Sequence, residues 1–134
     1  MSKKVLIVED DRFISDVYRK RLSRAGYETE VASNGQVAWD VMATFRPDAL
    51  LVDLMLPQMN GIALIKKVRA SVEFKSLPII VSTNAFVGEM IQDSIAAGAT
   101  KVFNKSTFAP PLLVEVLREL LPLDTEESLP LKET

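Results

Sequence analysis

The feature that most constrains this chain is a set of short apolar runs that recur along it and end on polar residues. Val5-Leu6-Ile7-Val8, Ala49-Leu50-Leu51-Val52 and Ile79-Ile80-Val81 are unbroken and rich in Val, Ile and Leu. Runs of that kind suit strands buried on both faces, as in a parallel sheet, not the alternation of a half-exposed strand. Tyr27 to Ala32 is more amphipathic and reads as an edge strand. Lys101 to Phe103 reads as a short last strand.

Helical patterns separate these runs. Phe13, Val17 and Leu22, with Ile14, Tyr18 and Arg21, follow helical spacing, and Gly26 stops that helix. Ser33 and Gln36 suggest a capping box for a helix through Phe45, broken at Pro47. Ile62 to Ala70 and Met90 to Ala97 read as two more helices, the second ended by Gly98. Pro110 suits the first turn of a final helix running to Leu121, and Pro122 ends it. Strict alternation predicts an α/β fold, a parallel sheet covered by helices on both faces with right-handed crossovers. In such sheets functional groups gather at the carboxyl ends of the strands. Residues 1–122 read as one domain. Residues 123–134, LDTEESLPLKET, are polar and acidic and read as a disordered tail or the stub of a linker.

Composition removes several kinds of chemistry. With no Cys there are no disulfides or thiolate metal sites, and with no His there are no imidazole ligands and no Ser-His-Asp triad. A net charge of −2 argues against direct nucleic-acid binding, and the cluster Arg19, Lys20, Arg21, Arg24 is a solvated helix face. The apolar run near the N-terminus is too short for a signal peptide, and no run is long enough to span a membrane. A cytoplasmic location is expected.

What remains is carboxylates, hydroxyls and lysine, and four strand ends carry them. The first strand runs into Glu9, Asp10 and Asp11, the third into Asp53, the fourth into Ser82 and Thr83, and the fifth is followed by Lys105. All fall on one edge of the expected sheet. Clustered carboxylates raise one another's pKa unless a cation neutralises them. Hard oxygen donors alone point to Mg²⁺, Ca²⁺ or Mn²⁺. Asp10 and Asp53 can supply the carboxylates, and Glu9 can act through water. Asp10 or Asp11 can alternatively serve as a helix cap, which leaves Asp53 unexplained. Pro57 makes Asp53-Leu-Met-Leu-Pro a strand-to-loop turn, exposed enough for the carboxylate to attack phosphorus. Thr83 can hydrogen-bond the new phosphoryl oxygens, and Lys105 can neutralise their charge.

These pieces together resemble the receiver domain of bacterial response regulators. The matching segments are VLIVEDD at 5–11, LLVDLMLPQMNG at 50–61, LPIIVSTNA at 77–85, and Ala97-Gly98-Ala99 leading to Lys105. The resemblance implies a flavodoxin-like (βα)5 fold, doubly wound, with a five-stranded parallel sheet in the order 2-1-3-4-5. It implies that Asp53 is the phosphoacceptor, Thr83 the switch hydroxyl and Lys105 the phosphate-contacting lysine. Mg²⁺ would be held by Asp10, Asp53 and the backbone carbonyl of Met55, with Glu9 acting through water. The phosphodonor would be a histidine kinase or a phosphotransfer protein in a two-component phosphorelay. Output would pass to a downstream protein partner through the fourth and fifth helices and the last strand.

The chain would then be a phosphoprotein switch that accepts its own phosphoryl group and can shed it, not a dedicated enzyme. The surplus of Leu and Val from Leu112 to Leu121 is either deeply packed core or a partner face, with a homodimer through the fourth and fifth helices and the last strand as one form of it. Two positions depart from the family pattern. Val102 stands where an aromatic is usual, and Ser106 replaces the proline after the lysine. Without that proline a cis bond would cost roughly 2.5–4 kcal/mol, which predicts a trans Lys105–Ser106 bond and a last helix starting near Pro110. A dehalogenase-like phosphatase would need a second Asp where Met55 stands. A receiver that no longer accepts phosphate would not be expected to keep Asp10, Asp53, Thr83 and Lys105.

Overall fold

The alternating runs become alternating elements. In the computed structural model, which describes residues 2–84 and 88–123, they follow in order β1 (Lys4–Val8), α1 (Arg12–Arg24), β2 (Glu28–Ala32), α2 (Gly35–Phe45), β3 (Ala49–Val52), α3 (Gly61–Ala70), β4 (Ile79–Thr83), α4 (Gly88–Ala97), β5 (Lys101–Asn104) and α5 (Pro110–Leu120). A single turn of 3₁₀ helix, Lys105–Thr107, joins β5 to α5. The five strands form one sheet in the order β2-β1-β3-β4-β5, and every neighbouring pair is parallel. This is the doubly wound α/β fold, with the sheet order that the resemblance implies.

The unbroken apolar runs have a simple cause. Side chains alternate across a strand, and both faces of this sheet are covered. Val5, Ile7, Ala49, Leu51 and Ile80 face α1 and α5, where they pack with Tyr18, Leu22, Leu113 and Leu117. Leu6, Val8, Leu50, Val52, Ile79 and Val81 face the other way, against Ala38, Met42, Leu64, Ile65 and Val68 of α2 and α3. The outer strands β2 and β5 lack a neighbour on one side and are correspondingly more exposed.

Three local expectations change. The N-cap of α2 is Asn34, not Ser33. Its Oδ1 accepts from the Val37 N–H at 2.8 Å, and Gln36 reaches Asp40 instead. Gly35, the first residue of the helix, lies against the Met59 backbone, where any Cβ would collide. The apolar surplus of α5 is mostly core: Leu113, Val114, Val116, Leu117 and Leu121 are buried, Leu120 is half-buried, and only Leu112 is exposed. That surplus therefore gives no separate support to a dimer face. Leu123, expected to begin the tail, is also buried and packs over Gly26, while the Tyr27 hydroxyl donates to the Leu121 carbonyl at 2.9 Å. The rest of the expected tail, 124–134, lies outside the described residues. The start of α5 is at Pro110 as expected, and no cis peptide bond occurs among the described residues.

Candidate functional site

The sheet ladder itself brings the acidic residues together. Beyond the last paired residues of β1 and β3, the Asp53 N–H still donates to the Val8 carbonyl and the Glu9 N–H to the Ala32 carbonyl, each at 3.0 Å. Glu9 and Asp53 are thereby fixed side by side at the carboxyl edge, 4% and 7% exposed. Asp10 follows at the rim and is exposed. One carboxylate oxygen from each of Glu9, Asp10 and Asp53 lies within 4.8 Å of the others. Asp11 turns away to cap α1, its Oδ1 accepting from the Ile14 N–H at 3.1 Å. The capping alternative is thus satisfied by Asp11 and leaves Asp10 to the cluster.

Lys105 enters from the far side. Its Nζ donates to Glu9 Oε1 at 2.7 Å and to Asp53 Oδ2 at 2.9 Å, and its side chain is 8% exposed. Each acid keeps a second partner. Glu9 Oε2 accepts from the Asp11 N–H at 3.1 Å, and Asp53 Oδ1 from the Met55 N–H at 3.2 Å. Burial pushes the Glu9 carboxyl up, outweighing the lowering effect of its bonds to Lys105 and Asp11, and the Asp53 charge adds to the rise. Burial alone would lower the Lys105 ammonium, but its bonds to Glu9 and Asp53 and their charges hold its pKa above the usual lysine value.

Thr83 is fully buried at the end of β4. Val52 pairs with Val81, so Asp53 and Thr83 follow that pair by one and two residues on adjacent strands. The expected site residues therefore share one edge: Lys105 is bonded to Glu9 and Asp53, and Asp10 brings a carboxylate oxygen within 4.8 Å of theirs. The Met55 side chain is exposed, and its N–H is already engaged by Asp53.

The donor set suits a hard divalent cation. Three carboxylates converge within reach of one ion, with no imidazole or thiolate in the chain, and Asp10 faces solvent, where waters can complete the coordination. A strand-end carboxylate, an ammonium bonded to it and a cation-competent acid cluster are groups of the kind that stabilise charge on a phosphoryl group.

Some of the framework escaped the sequence reading. Asn104 orients the lysine turn: its Oδ1 accepts from the Ser106 N–H at 3.0 Å and from the Ser106 hydroxyl at 2.8 Å. An Asn two residues before that N–H is a recognisable turn signal. Asn60 does the same for the loop after Asp53, accepting from the Ala63 N–H at 2.9 Å at the start of α3. Gln58 and Met59 take left-handed φ values of 49° and 35° before it, and a Cβ on Gly61 would strike the Asp53 carbonyl. Tyr18 was read only as a helix position, yet its hydroxyl meets the Ser82 hydroxyl at 3.2 Å. No local pattern announces that contact.

Comparison with known proteins points the same way. A family model for the response regulator receiver domain matches residues 5–118. Response regulator MprA of Mycobacterium bovis is 33% identical over 138 residues, an alignment covering 98% of this chain and 58% of that protein. The chain thus spans somewhat over half the length of that relative. Polar-differentiation response regulator DivK of Brucella anthropi is 30% identical, and there the match covers 90% of this chain and 98% of the relative. Among solved structures, chemotaxis response regulator CheY4 of Vibrio cholerae superposes with a TM-score of 0.83 at 33% identity, covering 90% of this chain and all of that one.

Proposed function

The chain belongs to the response regulator receiver domain family, and on that premise we propose that it is a phosphorylation switch in which Asp53 accepts a phosphoryl group from a histidine kinase or phosphotransfer protein. The observation that carries this is Asp53 itself: a strand-end carboxylate held between the Lys105 ammonium and the Met55 N–H, beside two further acids. An Asp53 carboxylate oxygen attacks phosphorus. The bond from phosphorus to the donor breaks, the donor leaves with that electron pair, and an acyl phosphate remains on Asp53. Lys105 neutralises the phosphoryl oxygens, and Thr83 hydrogen-bonds one of them. Asp10, Asp53 and the Met55 carbonyl, with Glu9 through water, would hold Mg²⁺, which when bound offsets the charge of the incoming phosphoryl group.

Output follows from the same groups. Phosphorylation adds about −1.5 to −2 charges at Asp53. Thr83 ends the strand that leads to α4, and Lys105 follows β5, so their regrouping acts on the α4-β5-α5 face, which we assign to the downstream partner. Incubating the protein with Mg²⁺ and acetyl phosphate should produce the mass gain of one phosphoryl group on intact protein. EDTA or Asp10→Asn should suppress it. Steady consumption of acetyl phosphate without mass gain would favour a phosphatase, and no reaction at all would favour a receiver that no longer accepts phosphate.

The donor side has its own surface. Phe13, 78% exposed on α1, borders a cavity of about 190 Å³ lined also by Ile14, Val17, Tyr18, Lys105, Phe108 and Pro110. A large exposed aromatic on a cavity that Lys105 also lines suits a protein donor and has no use for a small one. Phe13→Ala is therefore expected to slow transfer from a phosphorylated histidine kinase roughly tenfold or more, as loss of an interface anchor does. Its reaction with acetyl phosphate should be unchanged. Equal slowing with both donors would show that Phe13 shapes the site and does not dock the kinase.

A further inference from the structure

We infer that Tyr18 is a positioning residue for phosphoryl transfer, acting through Ser82 on the end of β4; the inference rests on the phosphoacceptor reading of Asp53. Tyr18 lies on the inner face of α1, 4% exposed, and its hydroxyl is 3.2 Å from the Ser82 hydroxyl, itself 2% exposed. Each hydroxyl would be costly to bury alone. A phenylalanine opposite an alanine would fill the same space with no polar group to satisfy. The pair therefore contributes placement more than packing.

Its position explains what is placed. Ser82 follows Val81, the partner of Val52 just before Asp53, and it precedes Thr83. Across the sheet Ser82 pairs with Phe103 and Thr83 with Asn104, the residue whose side chain caps the turn carrying Lys105. One hydrogen bond thus ties α1 to the peptide where the phosphoacceptor strand, the hydroxyl strand and the lysine strand meet. Tyr18 also lines the cavity that Lys105 borders, and burial raises the pKa of its phenol. With the end of β4 held to α1, the backbone of Thr83 is fixed, and only its side chain has to turn for its hydroxyl to meet the phosphoryl oxygens.

The test is the rate constant for phosphorylation at saturating acetyl phosphate and Mg²⁺, followed by intact mass, for Tyr18→Phe, Ser82→Ala, the double variant and Tyr18→Phe in a Thr83→Ala background. Each single change should slow the reaction roughly three- to tenfold, the factor expected for one lost neutral hydrogen bond. The double variant should be no slower than the slower single one, and Tyr18→Phe should have no further effect once Thr83 is alanine. Ser82→Ala, the smaller change, carries the test if Tyr18→Phe does not fold. Wild-type rates in the single variants, with or without a loss of thermal stability, would overturn the inference. So would multiplying losses in the double variant, or an undiminished Tyr18→Phe effect in the Thr83→Ala background. No mass gain in the wild type would overturn the phosphoacceptor reading and this inference together.

Discussion

Asp53→Asn is expected to abolish phosphorylation by acetyl phosphate, with no mass gain under conditions in which the wild type is fully modified. The amide retains one oxygen, which can still accept the Met55 N–H that Asp53 now accepts at 3.2 Å. The loop after β3 and the close approach of Gly61 to residue 53 should therefore persist. What disappears is the anionic oxygen proposed to attack phosphorus, and an amide is no substitute nucleophile. The nearby acids cannot take over. Glu9 is 4% exposed and bound at both oxygens, to Lys105 and to the Asp11 N–H. Asp10 sits at the rim with no ammonium beside it among the hydrogen-bonded groups of the site. Folding should change by no more than about 1 kcal/mol, because the substitution conserves shape and also removes one of three clustered negative charges. The checks are intact mass for phosphorylation and chemical denaturation for stability. A mass gain at the wild-type rate would move the phosphoacceptor elsewhere.

Most of this fold was legible in the sequence because its sheet is parallel and doubly covered. Such a sheet demands strands apolar on both faces, so Val5–Val8 and Ala49–Val52 announce themselves without alternation. The glycine stops were legible for the same kind of reason. Gly26 and Gly98 take φ values of 104° and 119°, which side chains rarely adopt. The cap of α2 lies one residue later than its local pattern suggests. Ser33 and Gln36 make a plausible local cap, but Asn34 caps the helix instead, and Gly35 beside it packs on the Met59 backbone from a loop more than twenty residues away. The two readings of α5 are separated by a related cause. Its leucines looked surplus to one stripe, yet helix, turn and Leu123 are all drawn into the space beside α1.

The site divides in the same way. Residues at or just past a strand end, Glu9, Asp10, Asp53 and Thr83, could be located from chain order, since strand ends share an edge. Lys105, just past the last strand, could be located in the same way, but its two short contacts to Glu9 and Asp53 needed coordinates. Contacts between elements distant in sequence have no local signature. Tyr18 and Ser82 are 64 residues apart. Arg69 fastens the end of α3 to the carbonyls of Lys75, Leu77 and Gly98, a clamp that spacing alone does not reveal.

Lys105→Ala is expected to cause the largest loss of stability of any substitution in the site, and Mg²⁺ should restore much of it. The ammonium is the one cation bonded to Glu9 and Asp53 among the described ion pairs, at 2.7 and 2.9 Å, with all three side chains at most 8% exposed. Removing one partner of a buried pair leaves an uncompensated charge. In metal-free buffer near neutral pH the expected cost is roughly 3 kcal/mol, the low end of the usual range because Asp10 opens the site to water. The sign of the pH dependence follows from the two shifts. The Lys105 pKa is raised in the fold, so its contribution is fully present below the unfolded lysine value and is lost only as pH rises through the folded one. At neutral pH the wild type holds all of it and the variant none. The Glu9 pKa is raised as well, so its charge costs stability above that folded value, and protonation relieves the cost as pH falls. Without Lys105 the Glu9 carboxyl should rise further, since both effects of the lysine on it are lowering ones. The deficit of the variant should therefore be greatest at neutral pH and shrink on acidification towards the unfolded Glu value. Saturating Mg²⁺ should stabilise the variant more than the wild type, since a bound cation replaces the missing positive charge. Denaturation curves across pH, with EDTA and with Mg²⁺, measure all three effects. A variant as stable as the wild type in EDTA at neutral pH would mean that the acid pair is solvated without its lysine, and that Lys105 serves the phosphoryl group alone.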